Sequence, residues 1–121
     1  MDCIFCKIIT NDIPSYTLYE DEIVKVFLDV NPKVNGHTLI VPKKHYTDLF
    51  DIEDDVLNSI INTAKKMDKI FREKLGSEGL TLVQNNGLPQ EVKHFHLHLM
   101  PCYSSKQELI NPEDVYNQLK N

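Results

Sequence analysis

His94-Phe95-His96-Leu97-His98-Leu99-Met100-Pro101 is the stretch on which the reading of this chain turns. Imidazole and apolar side chains alternate from His94 to Leu99, and such alternation marks a strand with one face buried. Successive side chains of a strand point to opposite faces. His94, His96 and His98 therefore share one face. Phe95, Leu97 and Leu99 share the other, which points into a core. The strand is expected over Val92 to Met100, and Pro101, which lacks an N–H, is expected to end it.

Upstream, Asn85-Asn86-Gly87-Leu88-Pro89 reads as a loop, and Leu80-Thr81-Leu82-Val83-Gln84 as the strand before it. Before that strand runs a long amphipathic helix. Val56, Leu57, Ile60, Ile61, Ala64, Met67, Ile70, Phe71 and Leu75 recur at three- and four-residue spacing. Asp51 and Asp54 are expected to cap its start as a variant of the capping box, and Gly76 to close it in a left-handed conformation. Nearer the N-terminus, strands are expected over Tyr16–Tyr19 and Ile23–Leu28, joined by the turn Glu20-Asp21-Glu22. Asn31-Pro32-Lys33-Val34-Asn35-Gly36 is a loop signal. It leads into a strand over His37–Val41, stopped by Pro42. Ile4, Phe5, Ile8 and Ile9 share one side of a short helix that Asn11-Asp12-Ile13-Pro14 breaks. At the other end Asn111 caps a short helix with Pro112 in its first position. Strands outnumber helices and one long helix lies mid-chain, so the fold class is α+β with an antiparallel sheet.

The 121 residues are expected to make a single domain, 1–121. Hydrophobic residues are 41% and charged residues 26%, which argues against a disordered chain. The net charge of −5 disfavours a nucleic-acid partner, and no aromatic stacking motif is evident. No apolar run approaches the roughly 20 residues of a membrane span. The N-terminus lacks the basic and long apolar regions of a signal peptide. Three cysteines, an odd number, argue against a disulfide framework, so a reducing cytoplasm is the expected setting.

Three imidazoles on one strand face admit three readings. They are a solvated polar face, a His-rich metal site, or a catalytic group, since imidazole is a nucleophile and a proton carrier near neutral pH. The loop before the strand favours the last. Its backbone N–H groups and the Asn85 amide can be aimed at an anion. An anion beside histidines suggests phosphorus chemistry. P-loop motifs are absent, so direct attack by an imidazole nitrogen fits.

His94-x-His96-x-His98 followed by two apolar residues resembles the motif of the histidine triad (HIT) superfamily of nucleotide hydrolases and transferases. Phe27-Leu28-Asp29, Gly36-His37-Thr38-Leu39-Ile40-Val41-Pro42-Lys43-Lys44-His45 and Asn85-Asn86-Gly87 fall where that family has similar runs, in the same order. The resemblance covers most of the chain and is nearest to the Hint branch. The Fhit-like branch usually has Gln where Asn85 stands. The segment from Asn85 to His94 is shorter than in typical members, and Pro89 stands where a small Gly is usual.

The resemblance implies a five-stranded antiparallel sheet with one long helix and short terminal helices. It also implies hydrolysis at the α-phosphate of nucleoside phosphoramidates or related conjugates. His96 would attack phosphorus, its other ring nitrogen donating to a carbonyl near His94, and a nucleotidyl-imidazole would form. His98 would hydrogen-bond a phosphate oxygen or the leaving group, and His37 would support the site. Asn85 and the backbone near Glu91 would hold the phosphate. Asp29 would accept from the ribose hydroxyls, although an Asp before Asn31-Pro32 also serves simply to cap a turn. Ile4, Phe5, Ile8 and Leu39 would line the base pocket, or else are plain core. The partner would be a purine nucleotide such as AMP or its conjugates, and the assembly a homodimer through the long helix and one strand. No Mg²⁺ would be required, since no carboxylate cluster is present to hold it. The rivals are a dinucleoside polyphosphate hydrolase and a nucleotide- or zinc-binding interaction protein without turnover.

Cys3-Ile4-Phe5-Cys6 is a C-x-x-C pair, weak by itself. No βαβ context follows for a thioredoxin-like site, and zinc needs two further ligands. His45 and a triad histidine can complete a Cys₂His₂ set; by the resemblance the ligands are Cys3, Cys6, His45 and His94. With four protein ligands such a zinc is structural. The alternative is two small buried thiols.

Overall fold

The computed structural model describes residues 3–120. Its strands are β1 (Thr17–Glu20), β2 (Val24–Leu28), β3 (Thr38–Pro42), β4 (Gly79–Val83) and β5 (Leu97–Cys102). They form one antiparallel sheet in the order β1-β2-β3-β5-β4. The helices are α1 (Ile4–Ile9), α2 (Asp54–Leu75) and α3 (Pro112–Lys120). This is the expected α+β architecture, with one long helix and a short helix towards each end.

The sheet is covered on both faces. Val24, Val26 and Leu28 of β2, Ile40 of β3, and Leu97 and Leu99 of β5 pack with Ile60, Ala64, Met67 and Phe71 of α2. On the other face Phe27, Leu39 and Val41 pack with Phe5 and Ile8 of α1. Lys25 is also buried on β2. Its ammonium donates to the Ile8 carbonyl at 2.8 Å and to Asn11 Oδ1 at 2.9 Å. A buried ammonium is costly unless its protons are bonded, so these acceptors fasten the end of α1 to the sheet.

Three local expectations are corrected. The last strand begins at Leu97, not Val92, because its pairing with either neighbour reaches no further, although β3 itself runs on to Pro42. β3 is paired to β5 only as far as Ile40↔Leu97, and β4 ends at Val83↔His98. Residues 94–96 still alternate: Phe95 joins the α2 core, and its N–H donates to the Tyr46 carbonyl at 2.7 Å. Nor does Pro101 end the strand. It lies beyond the Thr38↔Leu99 pairing, where only β4 flanks β5, and such an edge tolerates a missing N–H. The third correction concerns the α2 cap. The helix starts from Glu53, which makes no side-chain cap. Asp51 instead closes the preceding turn, accepting from Thr47 and Asp48 N–H at 3.0 and 2.9 Å. Asp54 and Asp55 sit in the first turn, where carboxylates favour the positive end of the helix. Gly76 does close the helix, at φ +70°.

Gly36 sets the entry to β3. It has φ +88°, and a Cβ there would approach Leu75 Cδ1 to 2.8 Å and Pro101 Cγ to 3.0 Å. Gly36→Ala is expected to destabilise the protein by about 1–3 kcal/mol. Urea denaturation measures this, and an unchanged midpoint would refute the packing described.

Candidate active site

β5 and the segment before it set out the site as a series of steps along one face. His94, His96, His98 and Met100 follow at two-residue spacing, each about 7 Å beyond the last where the chain is extended. At the first step His94 is buried, with its Nε2–H donating to the Pro42 carbonyl at 2.8 Å. That bond leaves Nδ1 as a lone pair. It faces Cys3 Sγ at 3.4 Å, Cys6 Sγ at 3.5 Å and His45 Nδ1 at 3.0 Å; Cys6 Sγ lies 3.3 Å from His45 Nδ1. The four ligand atoms lie within 4.8 Å of one another. Tetrahedral zinc with ordinary Zn–S and Zn–N bonds holds S and N about 3.5 Å apart, so the donor set fits such an ion. The His94–Pro42 bond is the kind of outer contact that would orient His94 toward such an ion.

At the second step His96 is buried under α1, its ring 5.0 Å edge-on from Phe5. Its Nδ1–H donates to the His94 carbonyl at 2.8 Å. The proton is therefore on Nδ1, and Nε2 carries a free lone pair. At the third step the tautomers are set by a chain. The Lys33 N–H donates to His37 Nδ1 at 3.1 Å, so His37 Nε2 bears its proton and donates to His98 Nδ1 at 2.9 Å. His98 is left with an N–H at Nε2. The His96 and His98 rings lie 4.9 Å apart. A lone pair at His96 and a donor at His98 thus sit side by side.

Burial disfavours the charged forms of His98 and His37. It pushes His98 from its ordinary 6.5 to about 4, with repulsion from His96 and His37 adding to it. His37 is also lowered by burial, which outweighs the attraction of Asp29.

The structure brings most of the expected residues together. Asp29 Oδ2 is 3.6 Å from His37 Nε2. Its Oδ1 accepts from the Asn31 N–H at 2.8 Å, so the turn-capping role is real and occupies one carboxylate oxygen. Phe5, Ile8 and Leu39 share one cluster, whereas Ile4 is half exposed and stands outside it. Asn85 lies two residues past Val83, the last residue of β4, whose partner is His98. Glu91 is exposed in the loop that follows.

Three contributors escaped the sequence reading. Phe27 belongs to the α1 cluster; the unbroken apolar run Val26-Phe27-Leu28, which marks a strand buried on both faces, was a usable signal. The backbone of Lys33 fixes the His37 tautomer, and no local pattern marks that. Gln90 is buried and organises the loop, donating to the Thr47 carbonyl at 2.5 Å and accepting from the Gly87 N–H at 3.3 Å.

Residues 10–105 match the family described as the HIT domain. The chain belongs to the HIT family. It is 46% identical over 117 residues to an uncharacterised HIT-like protein of Methanocaldococcus jannaschii, covering 95% of this chain and 90% of that one. It is 42% identical over 110 residues to the adenosine 5'-monophosphoramidase of Saccharomyces cerevisiae, covering 89% and 67%. A solved zinc-bound histidine triad family protein of Mycobacterium smegmatis matches with a TM-score of 0.91 at 31% identity, covering 99% and 91%.

In this HIT chain the neutral histidines carry a cost in acid. Between about pH 6.5 and 4 the unfolded chain protonates the residue at position 98 and the folded chain does not. The unfolded state binds more protons there, so stability falls as pH drops through that window. His98→Asn removes this contribution. From pH 7 to 4.5 the melting temperature of the variant should fall by roughly a few degrees less than that of the wild type. Parallel melting curves across that range would refute it.

Proposed function

We propose that this protein hydrolyses purine nucleoside phosphoramidates, or related nucleotide conjugates, at the α-phosphorus through a covalent nucleotidyl-imidazole on His96. The observation that carries the reading is the His96 Nδ1–H bond to the His94 carbonyl, which frees Nε2 as a nucleophile. The similarity to the yeast adenosine 5'-monophosphoramidase supports the substrate class.

Nε2 bonds to phosphorus as the P–N bond breaks. The electron pair leaves with the amine, which takes a proton from solvent. Water then attacks the phosphorus, returns the pair to Nε2 and releases a proton, so one water is consumed for each AMP and amine formed. Dividing one displacement into two is the benefit of a covalent intermediate. The His98 Nε2–H is placed to bond a phosphoryl oxygen, and His37 holds it in that tautomer. Asn85 and the backbone near Glu91 steady the phosphate. Asp29 Oδ2 receives the ribose hydroxyls, and Phe5, Ile8 and Leu39, with Ile4 at the rim, receive the base.

Cys3, Cys6, His45 and His94 hold zinc in this reading. When bound, the ion would neutralise the thiolates and tie α1 to the start of the histidine segment. Four protein ligands leave no position for water. The assembly is a two-fold dimer through β4 and α2. The edge strand β4 and the exposed Leu82 and Ile61 support it. The three free cysteines suit a reducing cytoplasm.

His96→Ala should lose several orders of magnitude in turnover of an adenosine phosphoramidate while AMP binding, followed by calorimetry, persists. Brief EDTA treatment should leave wild-type turnover unchanged, since no Mg²⁺ takes part. A variant near the wild-type rate would overturn the mechanism. Elemental analysis should find about one zinc per chain, and Cys3→Ser with Cys6→Ser should lower the melting temperature by roughly 5–10 °C. A metal content near zero would return the cysteines to plain packing.

A further inference from the structure

One step past His98 along β5, the same face opens into a cavity of about 450 Å³, a size that accepts a small organic group. Met100 and Cys102 line it from β5, Thr81 from β4, and Lys33 and Asn35 from the loop before β3. With Val34 and Pro101, the segment from Tyr103 to Leu109 makes the remaining wall. That wall is held in place. The buried Asn35 amide donates to the Glu108 carbonyl at 2.8 Å and accepts from the Ile110 N–H at 2.9 Å, while Tyr103 Oη donates to the Asn35 carbonyl at 2.9 Å.

The charge of the lining is one-sided. Lys33 and Lys106 line the cavity and no carboxylate does. Neither ammonium has a hydrogen-bond or ion-pair partner among the described residues. The same Lys33 meets the relay through its backbone N–H on His37. The base cluster lies at the other end of the face, beside His94 and His96.

We infer that this cavity receives the leaving group of the substrate and selects one that carries an anionic group, a carboxylate or a phosphate, for Lys33 and Lys106. This rests on the proposed reaction at His96 and narrows its substrate class to conjugates of a nucleotide with an acidic amine. Two unpaired ammonium groups beside an otherwise neutral wall attract an anion and give a neutral analogue nothing in exchange. The net charge of the chain, −5, makes a local cationic pocket more selective, since it is not part of a general positive field.

The test compares two substrates that differ only at the far end, the adenosine 5'-phosphoramidates of β-alanine and of β-alanine amide, with the phosphate-bearing conjugate of phosphoethanolamine as a third. The wild type should prefer both anionic substrates over the amide by about tenfold in kcat/KM. Lys106→Gln should weaken that preference and leave turnover of the amide unchanged, and adding Lys33→Gln should remove what remains of the preference. The Lys33 backbone N–H survives the substitution, so the histidine relay is retained. Equal kcat/KM for the acid and the amide in the wild type would overturn the inference while upholding hydrolysis. So would an undiminished preference in the variant. Failure of all three substrates would refute the reaction itself, and the inference with it. A variant whose mass in solution differs from the wild type would assign the lysines to the subunit interface and likewise overturn the inference.

Discussion

The hydrogen bond from His96 Nδ1 to the His94 carbonyl is the interaction on which the site depends. It fixes a tautomer, a ring plane and the free lone pair in one contact of 2.8 Å. A bond to a backbone carbonyl is only as well placed as the backbone itself, and this backbone lies outside the regular strand. Two other contacts hold it. The Phe95 N–H reaches the Tyr46 carbonyl, and the His94 ring bonds the Pro42 carbonyl. His94 therefore serves both halves of the molecule. Its side chain belongs to the Cys–His cluster and its carbonyl belongs to His96.

Desolvation decides the chemistry that His37 and His98 offer. Asp29 lies close enough to favour a charged His37, yet burial wins and lowers it. A charged ring would donate from both nitrogens and break the directional chain from Lys33 through His37 to His98. Neutral rings donate from one nitrogen and accept at the other, so one backbone N–H at Lys33 is enough to orient two imidazoles.

α1 shows how much tertiary support a small element requires. A helix of six residues is unstable in isolation. Here it is held by Phe5 and Ile8 against Phe27 and Leu39, by Lys25 at its C-terminal end, and by Cys3 and Cys6 in the cluster. It covers the histidine face only because the sheet presents apolar residues on that side as well. That explains why β2 and β3 are buried at every position.

Alternation and turn chemistry made most of the architecture legible. The periods of α2 and β5, Gly76, and the Asn111–Pro112 start of α3 are local properties, because a helical or extended backbone imposes its own spacing on side chains. The triad face and the two-cysteine pair could be read for the same reason. Tertiary structure decided the rest. Strand limits follow from how far the pairing with a neighbour runs, so His94 to His96 left the strand and Pro101 stayed in it. Asp51 closes the turn before α2 because both its carboxylate oxygens accept from the Thr47 and Asp48 N–H groups. The Lys33 and Gln90 contacts, and the meeting of Cys3 and Cys6 with His45 and His94, join residues far apart in the chain or close in a loop without a pattern. Hydrogen-bond partners of this kind are set by where the folded backbone places its donors, and no spacing within the sequence records that.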